Sequence, residues 1–195
     1  MFLVLFLFAC AGPNPNPGER TVDVSWHEGR YKDMLTVLKP RAEEGYPWAQ
    51  LRYCSVHKFG LGIEKVPIEA VKWCKKASVQ MADGEWANGK MIGASGNAGF
   101  FNQNSDALIA QYQLADFYFN GEGVKKDLIT AYLYIKNVLK HTKGSSLFFC
   151  CEFAGGRYVT AQSISELNDK ITQEMSEDQI REAEKQLQTW TPKPE

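Results

Sequence analysis

Histidine is scarce: the 195 residues hold three, His27, His57 and His141, far apart and with no ligand-spaced partner of the HExxH or CxxC kind. No metal site is expected, no cofactor is implied, and each histidine reads as a helix-surface or packing residue. Charge of one sign is missing too. The net charge is −1, and the lysines and arginines are spread along the chain rather than gathered in a stripe, so no footprint for a phosphate backbone, and no nucleic-acid partner, is visible. Nucleotide fingerprints are absent: the GASGNAG run at Gly93 to Gly99 follows no strand pattern and no Gly-Lys-Ser/Thr occurs. Ser55-Val-His-Lys58 formally matches SxxK, yet no SDN or KTG follows it, so the partners that make such a serine a nucleophile are not there. Nothing in the sequence specifies catalysis.

Long apolar runs are limited to one. Met1 to Ala9, MFLVLFLFA, is too short for a mature membrane span, which needs ~20 residues, and has the length of the apolar part of an export signal. Leu7-Phe8-Ala9-Cys10 resembles the bacterial lipobox, which makes Cys10 a candidate for lipidation; cleavage after Ala11 is the competing reading. Residues 1–10 are therefore read as signal peptide and lipobox. Residues 11–20, AGPNPNPGER, are read as a flexible tether that holds the folded part off the lipid surface.

What is present is a repeated helical pattern. In Ala110 to Val138, AQYQLADFYFNGEGVKKDLITAYLYIKNV, the residues Ala110, Leu114, Phe117 and Tyr118 share one helix face, and Ala131, Tyr134, Ile135 and Val138 share another. NGEG between them is a turn whose Gly121 and Gly123 permit positive φ. Ala49, Gln50, Gly60, Gly62, Ile63, Ala70 and Trp73 match Ala110, Gln111, Gly121, Gly123, Val124, Ala131 and Tyr134 at one constant offset. Helix pairs repeated in this way are the mark of a stacked solenoid, because a single pair cannot bury its own apolar stripe.

These residues carry a resemblance to the Sel1-like repeat proteins, relatives of the tetratricopeptide repeats. AQLRYCSVHKFGLGIEKVPIEAVKWCKKA at Ala49 to Ala77 and the stretch from Ala110 to Val138 look like full units, and GRYKDMLTVLKPRAEEG at Gly29 to Gly45 looks like a preceding half unit. Cys54, His57 and Val66 stand where that family favours Gly, Tyr and Asp. The resemblance implies an all-α fold, a right-handed α-solenoid of stacked Sel1-like hairpins with a C-terminal capping helix. The expected domain covers 21–195, with repeats at about 46–77 and 107–139, a degenerate glycine-rich segment at 78–105 and a cap at 163–190. Pro40 is expected to bend the helix from Tyr31 to Glu44. Ser163 and Ser176 both read as capping boxes, and LFFCCEF at Leu147 to Phe153 reads as a cluster packing on the last hairpin.

With Cys10 set aside, Cys54, Cys74, Cys150 and Cys151 remain, an even number. Cys54 and Cys74 match Ala115 and Ile135 and so sit inside their hairpin; burial as small hydrophobes and a disulfide between them both fit. In stacked pairs the first helix of each pair lines a concave face. That face is expected to carry Trp48, Leu51, Arg52, Ser55 and Lys58 from one repeat and Ile109, Tyr112, Asp116 and Phe119 from the other, with Trp48 and Leu51 equally readable as packing against the next hairpin. The partner is then another protein, with the membrane engaged by a lipid anchor alone. The resemblance implies an exported interaction protein on the periplasmic side of the outer membrane, such as an immunity protein that neutralises an envelope-targeted toxic effector. Two alternatives stand beside it: a hydrolase like the cysteine-rich Sel1-like β-lactamases, and a scaffold for envelope assembly.

Overall fold

The computed structural model describes residues 18–79, 105–147 and 159–193. The lipobox with Cys10, the first part of the tether, most of the glycine-rich segment and Cys150-Cys151 lie outside these residues. The described chain forms α1 (Glu19–His27), α2 (Tyr31–Glu43), α3 (Pro47–Phe59), α4 (Pro67–Ser78), α5 (Ser105–Asn120), α6 (Leu128–Thr142), α7 (Ala161–Glu174) and α8 (Glu177–Leu187). Its β-structure is one isolated antiparallel bridge, Leu147 with Val159. None of the described helices is long and apolar enough to cross a membrane.

The ends of these helices follow from local chemistry. Pro47 and Pro67 occupy first-turn positions of α3 and α4, where the missing N–H has no intrahelical partner to lose. Asp127 caps α6, its carboxylate accepting from the Thr130 N–H at 3.1 Å and from the Thr130 hydroxyl at 2.7 Å. Its counterpart Val66 offers α4 no side-chain cap. Ser176 and Gln179 form the expected capping box of α8, but α7 opens differently. Thr160 is its cap, accepting from the Ser163 N–H, so Ser163 lies inside the first turn rather than before it. The tether is shorter than expected, because Glu19 and Arg20 already belong to α1. Pro40 sits in the last turn of α2 and the helix continues past it to Glu43.

Each helix packs on its successor from α1 to α7, and α8 packs on α6. Both repeat hairpins close alike: the Val66 N–H donates to the His57 carbonyl, and the Asp127 N–H to the Tyr118 carbonyl. Two devices stitch one hairpin to the previous one. The Gln50 amide donates to the carbonyl of Ala42 near the end of α2, and the Gln111 amide to that of Ser78 at the end of α4, so the same glutamine of each repeat bonds a carbonyl in the last turn of the preceding helix. The second glycine of each turn lies on the start of that helix too. A Cβ on Gly123 would stand 2.5 Å from the Pro67 carbonyl, and one on Gly62 2.6 Å from the Tyr31 Cβ. Trp48, Leu51, Leu114, Phe117 and Ile135 lie in the continuous core that results.

The stack has an inner side. α3 approaches α5 and α5 touches α7, whereas among the even helices it is the terminal α8 that packs closely, on α6. A row whose members crowd together is the inside of a curve.

Candidate protein-binding face

Five of the nine side chains expected on the inner face are buried: Trp48, Leu51 and Ile109 are at most 1% exposed, Arg52 is 3% and Ser55 6% exposed. The helices of this row pack side to side, and these residues fill the seams between them instead of facing solvent. Trp48 takes the packing alternative, its ring facing the Arg52 guanidinium at 5.3 Å.

Lys58, Tyr112, Asp116 and Phe119 remain half-buried along the row. Lys58 Nζ crosses from α3 to α5 and pairs with Asp116 Oδ2 at 2.9 Å, over the Phe117 ring at 4.5 Å. Asp116 Oδ1 accepts from Asn120 Nδ2 at 2.8 Å, which fixes the carboxylate from both sides. Tyr112 reaches toward α7, where its phenol shares a hydrogen bond with the Ser163 side chain; burial holds the phenol above its ordinary range despite that bond, helped by Asp116 and Glu166. Lys126 sits over the Phe119 ring at 5.1 Å and pairs with Glu174 of α7 at 2.5 Å. The row therefore presents two aromatic rings with fixed charges of both signs beside them, the kind of surface that supplies anchors at protein interfaces. Phe59, 41% exposed at the end of α3, and Asn120 extend the row and were not singled out from sequence. The two occupy equivalent positions in the repeat register.

Ser55 is not built as a nucleophile. Its hydroxyl donates to the Leu51 carbonyl at 3.2 Å, while Lys58, the other half of the SxxK match, is turned to Asp116. Beneath the row Cys54 and Cys74 are joined in a disulfide, Cα to Cα 5.2 Å, both fully buried. The Gln113 Oε1 lies 3.4 and 3.5 Å from the two sulfurs and its Nε2 reaches the Ser55 oxygen at 3.5 Å, so a residue of α5 covers the bridge of the preceding hairpin. His57 packs edge-on against Tyr53 at 4.8 Å, and burial lowers its pKa below the ordinary histidine range, which keeps the ring neutral. Among the described residues no three metal-ligating side chains converge.

The Sel1 repeat family matches residues 49–78 and 108–136, the two hairpins α3–α4 and α5–α6. The chain carries two Sel1 repeats. A crystal structure described as a protective antigen present in uropathogenic Escherichia coli strains, displaying an SLR fold, superposes on 90% of this Sel1-like chain with a TM-score of 0.60 and 16% identity. The matched part is 29% of that protein's length, so the likeness concerns the solenoid fold and not the whole antigen. No curated relative matches the sequence.

Proposed function

We propose that this Sel1-like repeat protein is exported, anchored through a lipid on Cys10, and holds a single protein partner on the inner row of odd helices. The observation that carries the reading is that row: Tyr112 and Phe119 stay partly open on it while the Lys58 and Asp116 charges beside them are held in place. Rigid aromatic groups set among fixed charges bind at a low entropic cost, because little ordering is left to do when the partner arrives. The compartment rests on the lipobox-like Leu7 to Cys10 together with the Cys54–Cys74 disulfide, since such bridges form and persist in oxidising spaces. A small exported binder of this kind suits the role of an immunity protein, with a toxic effector aimed at the bacterial envelope as its partner.

The test is capture from the native cell envelope followed by titration with the captured protein. Tyr112→Ala combined with Phe119→Ala should weaken binding by about 100-fold or more, given roughly 2 kcal/mol for each central aromatic anchor, with the helical circular dichroism retained. Ile68→Ala, at a 66% exposed side chain of α4 away from the odd row, should leave affinity unchanged. Equal affinity for all three proteins would remove the assigned face. Radiolabelled palmitate incorporated into wild type but not into Cys10→Ala supports the anchor, and equal labelling of both would exclude it.

A further inference from the structure

Because the hairpins run antiparallel, one edge of the stack gathers the starts of the odd helices and the ends of the even ones. The Gln50 bond to Ala42 and the Gln111 bond to Ser78 place the starts of α3 and α5 beside the ends of α2 and α4. Asn137 donates to Gln111 at 2.7 Å, and the Ala161 N–H to the Ser146 hydroxyl at 3.1 Å, which brings the end of α6 and the start of α7 to the same edge. Gly18, where the tether enters α1, lies there too: a Cβ on it would stand 2.8 Å from Val37 and 3.9 Å from Arg41, both in the second half of α2.

Cations that are scattered in sequence meet on this edge. Lys75 and Lys76 lie in the last turn of α4, Lys140 in that of α6, Lys143 just after it, and Arg20 in the first turn of α1. α6 contains no acidic residue, and the one acid of α4, Glu69, stands in its first turn, 3.5 Å from Lys72. Arg20, Lys76, Lys140 and Lys143 are exposed, and none of the four pairs with a carboxylate among the described residues. At the end of α2 the charges cancel, Lys39 with Glu43 and Arg41 with Glu44. Lysines of the opposite edge are used otherwise: Lys58, Lys65 and Lys126 reach Asp116, Glu122 and Glu174 at 2.9, 2.6 and 2.5 Å and tie successive elements together. A cation in a last turn suits the helix dipole, which accounts for each lysine singly, but Arg20 stands at a helix start, where the dipole disfavours it.

We propose that this edge is the face the protein turns to a membrane, with Arg20, Lys76, Lys140 and Lys143 set against anionic lipid headgroups. Charge complementarity and the place of the tether choose that occupant together. Residues 11–17 span at most about 25 Å even when fully extended, so a lipid on Cys10 keeps Gly18, and with it the whole edge, close to the bilayer surface. Nearness to the bilayer rests on the proposed anchor; the basic edge belongs to the folded repeats. Each unpaired cation brought to an anionic surface adds to the attraction, and cations on one edge add in one orientation only. The helices then stand end-on to the bilayer, and the inner row opens sideways to it, within reach of a partner.

Co-sedimentation of the full chain with lipid vesicles tests the edge. At low salt the wild type should bind vesicles containing phosphatidylglycerol about 100-fold more tightly than vesicles of phosphatidylcholine alone, as roughly fivefold for each of three exposed lysines gives, and raised salt should erase the difference. K76Q/K140Q/K143Q should lose the preference. K32Q/K65Q/K125Q, which removes the same charge from exposed positions at the other edge, should keep it. Wild type that binds both kinds of vesicle equally would overturn the proposal, and is the result expected if the edge serves an acidic protein instead. Equal loss in the two triple variants, each checked by circular dichroism, would overturn it as well, since net charge and not the edge would then be responsible. Cys10→Ala should retain the preference for phosphatidylglycerol, so failure of the anchor and failure of the edge are separate results.

Discussion

Cys54 and Cys74 occupy the places that Ala115 and Ile135 hold in the second repeat, so one hairpin is held by a covalent bridge where its neighbour relies on packing. With a sequence separation of 20, the bridge removes unfolded-state freedom worth roughly 3 kcal/mol. C54A/C74A should lower urea-unfolding stability by about that amount, whereas C54A/C74I, which copies the second repeat, should recover part of the loss through restored apolar contact. Mass mapping without reductant should show peptides joined through Cys54 and Cys74. The second hairpin also shows what the first lacks at position 66. Val66 and Asp127 start their helices from similar backbone, φ −132° and −147°, but Asp127 alone offers a cap. Val66→Asp should therefore stabilise the protein by about 1 kcal/mol in the same urea titration. Both contrasts were visible in sequence as departures of one unit from the other. The ion pair between Arg52 and Asp23 was not: Arg52 stood in the register of a free face, and nothing local shows that Asp23, 29 residues earlier, meets it there.

Turns, at the scale of elements, determine how one hairpin lies on the next, and their two glycines do different things. Gly121 and Gly123 have φ of 71° and 72°, so any side chain is strained at either. At Gly121 the added methyl would meet Lys126 at 3.3 Å; at Gly123 it would enter the backbone of Pro67 and Ile68, which cannot move without shifting α4. Gly121→Ala should cost about 1 kcal/mol, and Gly123→Ala about 3 kcal/mol, strain and overpacking together. A fluorescence-monitored denaturation series distinguishes them, and equal costs would mean that the close contact between hairpins does not matter. The hairpins, their turns and the α8 capping box were legible because helix periodicity and glycine spacing are local signals. The start of α7 was not, since Ser163 and Thr160 can both act as caps and tertiary packing chooses between them.

For the whole molecule, the odd-helix row was legible and its free surface was not, because sequence spacing gives the direction of a side chain but not how near the next helix stands. Close approach of α3 and α5 turned five expected contact residues into seam filling and left the other four half-buried. The other end of the stack is settled by the same geometry. Tyr134 packs edge-on with Trp190 at 4.9 Å and stacks with Tyr118 at 6.0 Å, while the Tyr132 hydroxyl donates to Glu184, so α8 and the residues after it cover α6. The outward face of α8 carries Glu177, Asp178, Arg181 and Glu182, all exposed, which a terminal cap requires if the stack is not to add another copy. Ending the chain after Met175 should therefore uncover the aromatic side of α6 and convert a well-behaved protein into one that self-associates, seen as a rise in scattering mass with concentration. Trp190→Ala alone should lower stability by about 2 kcal/mol, less than a fully buried tryptophan costs because this ring is only partly buried, without that association, since the polar face of α8 stays in place. If the truncated chain remained monomeric and stable, α8 would be an appendage and the solenoid would end at α7.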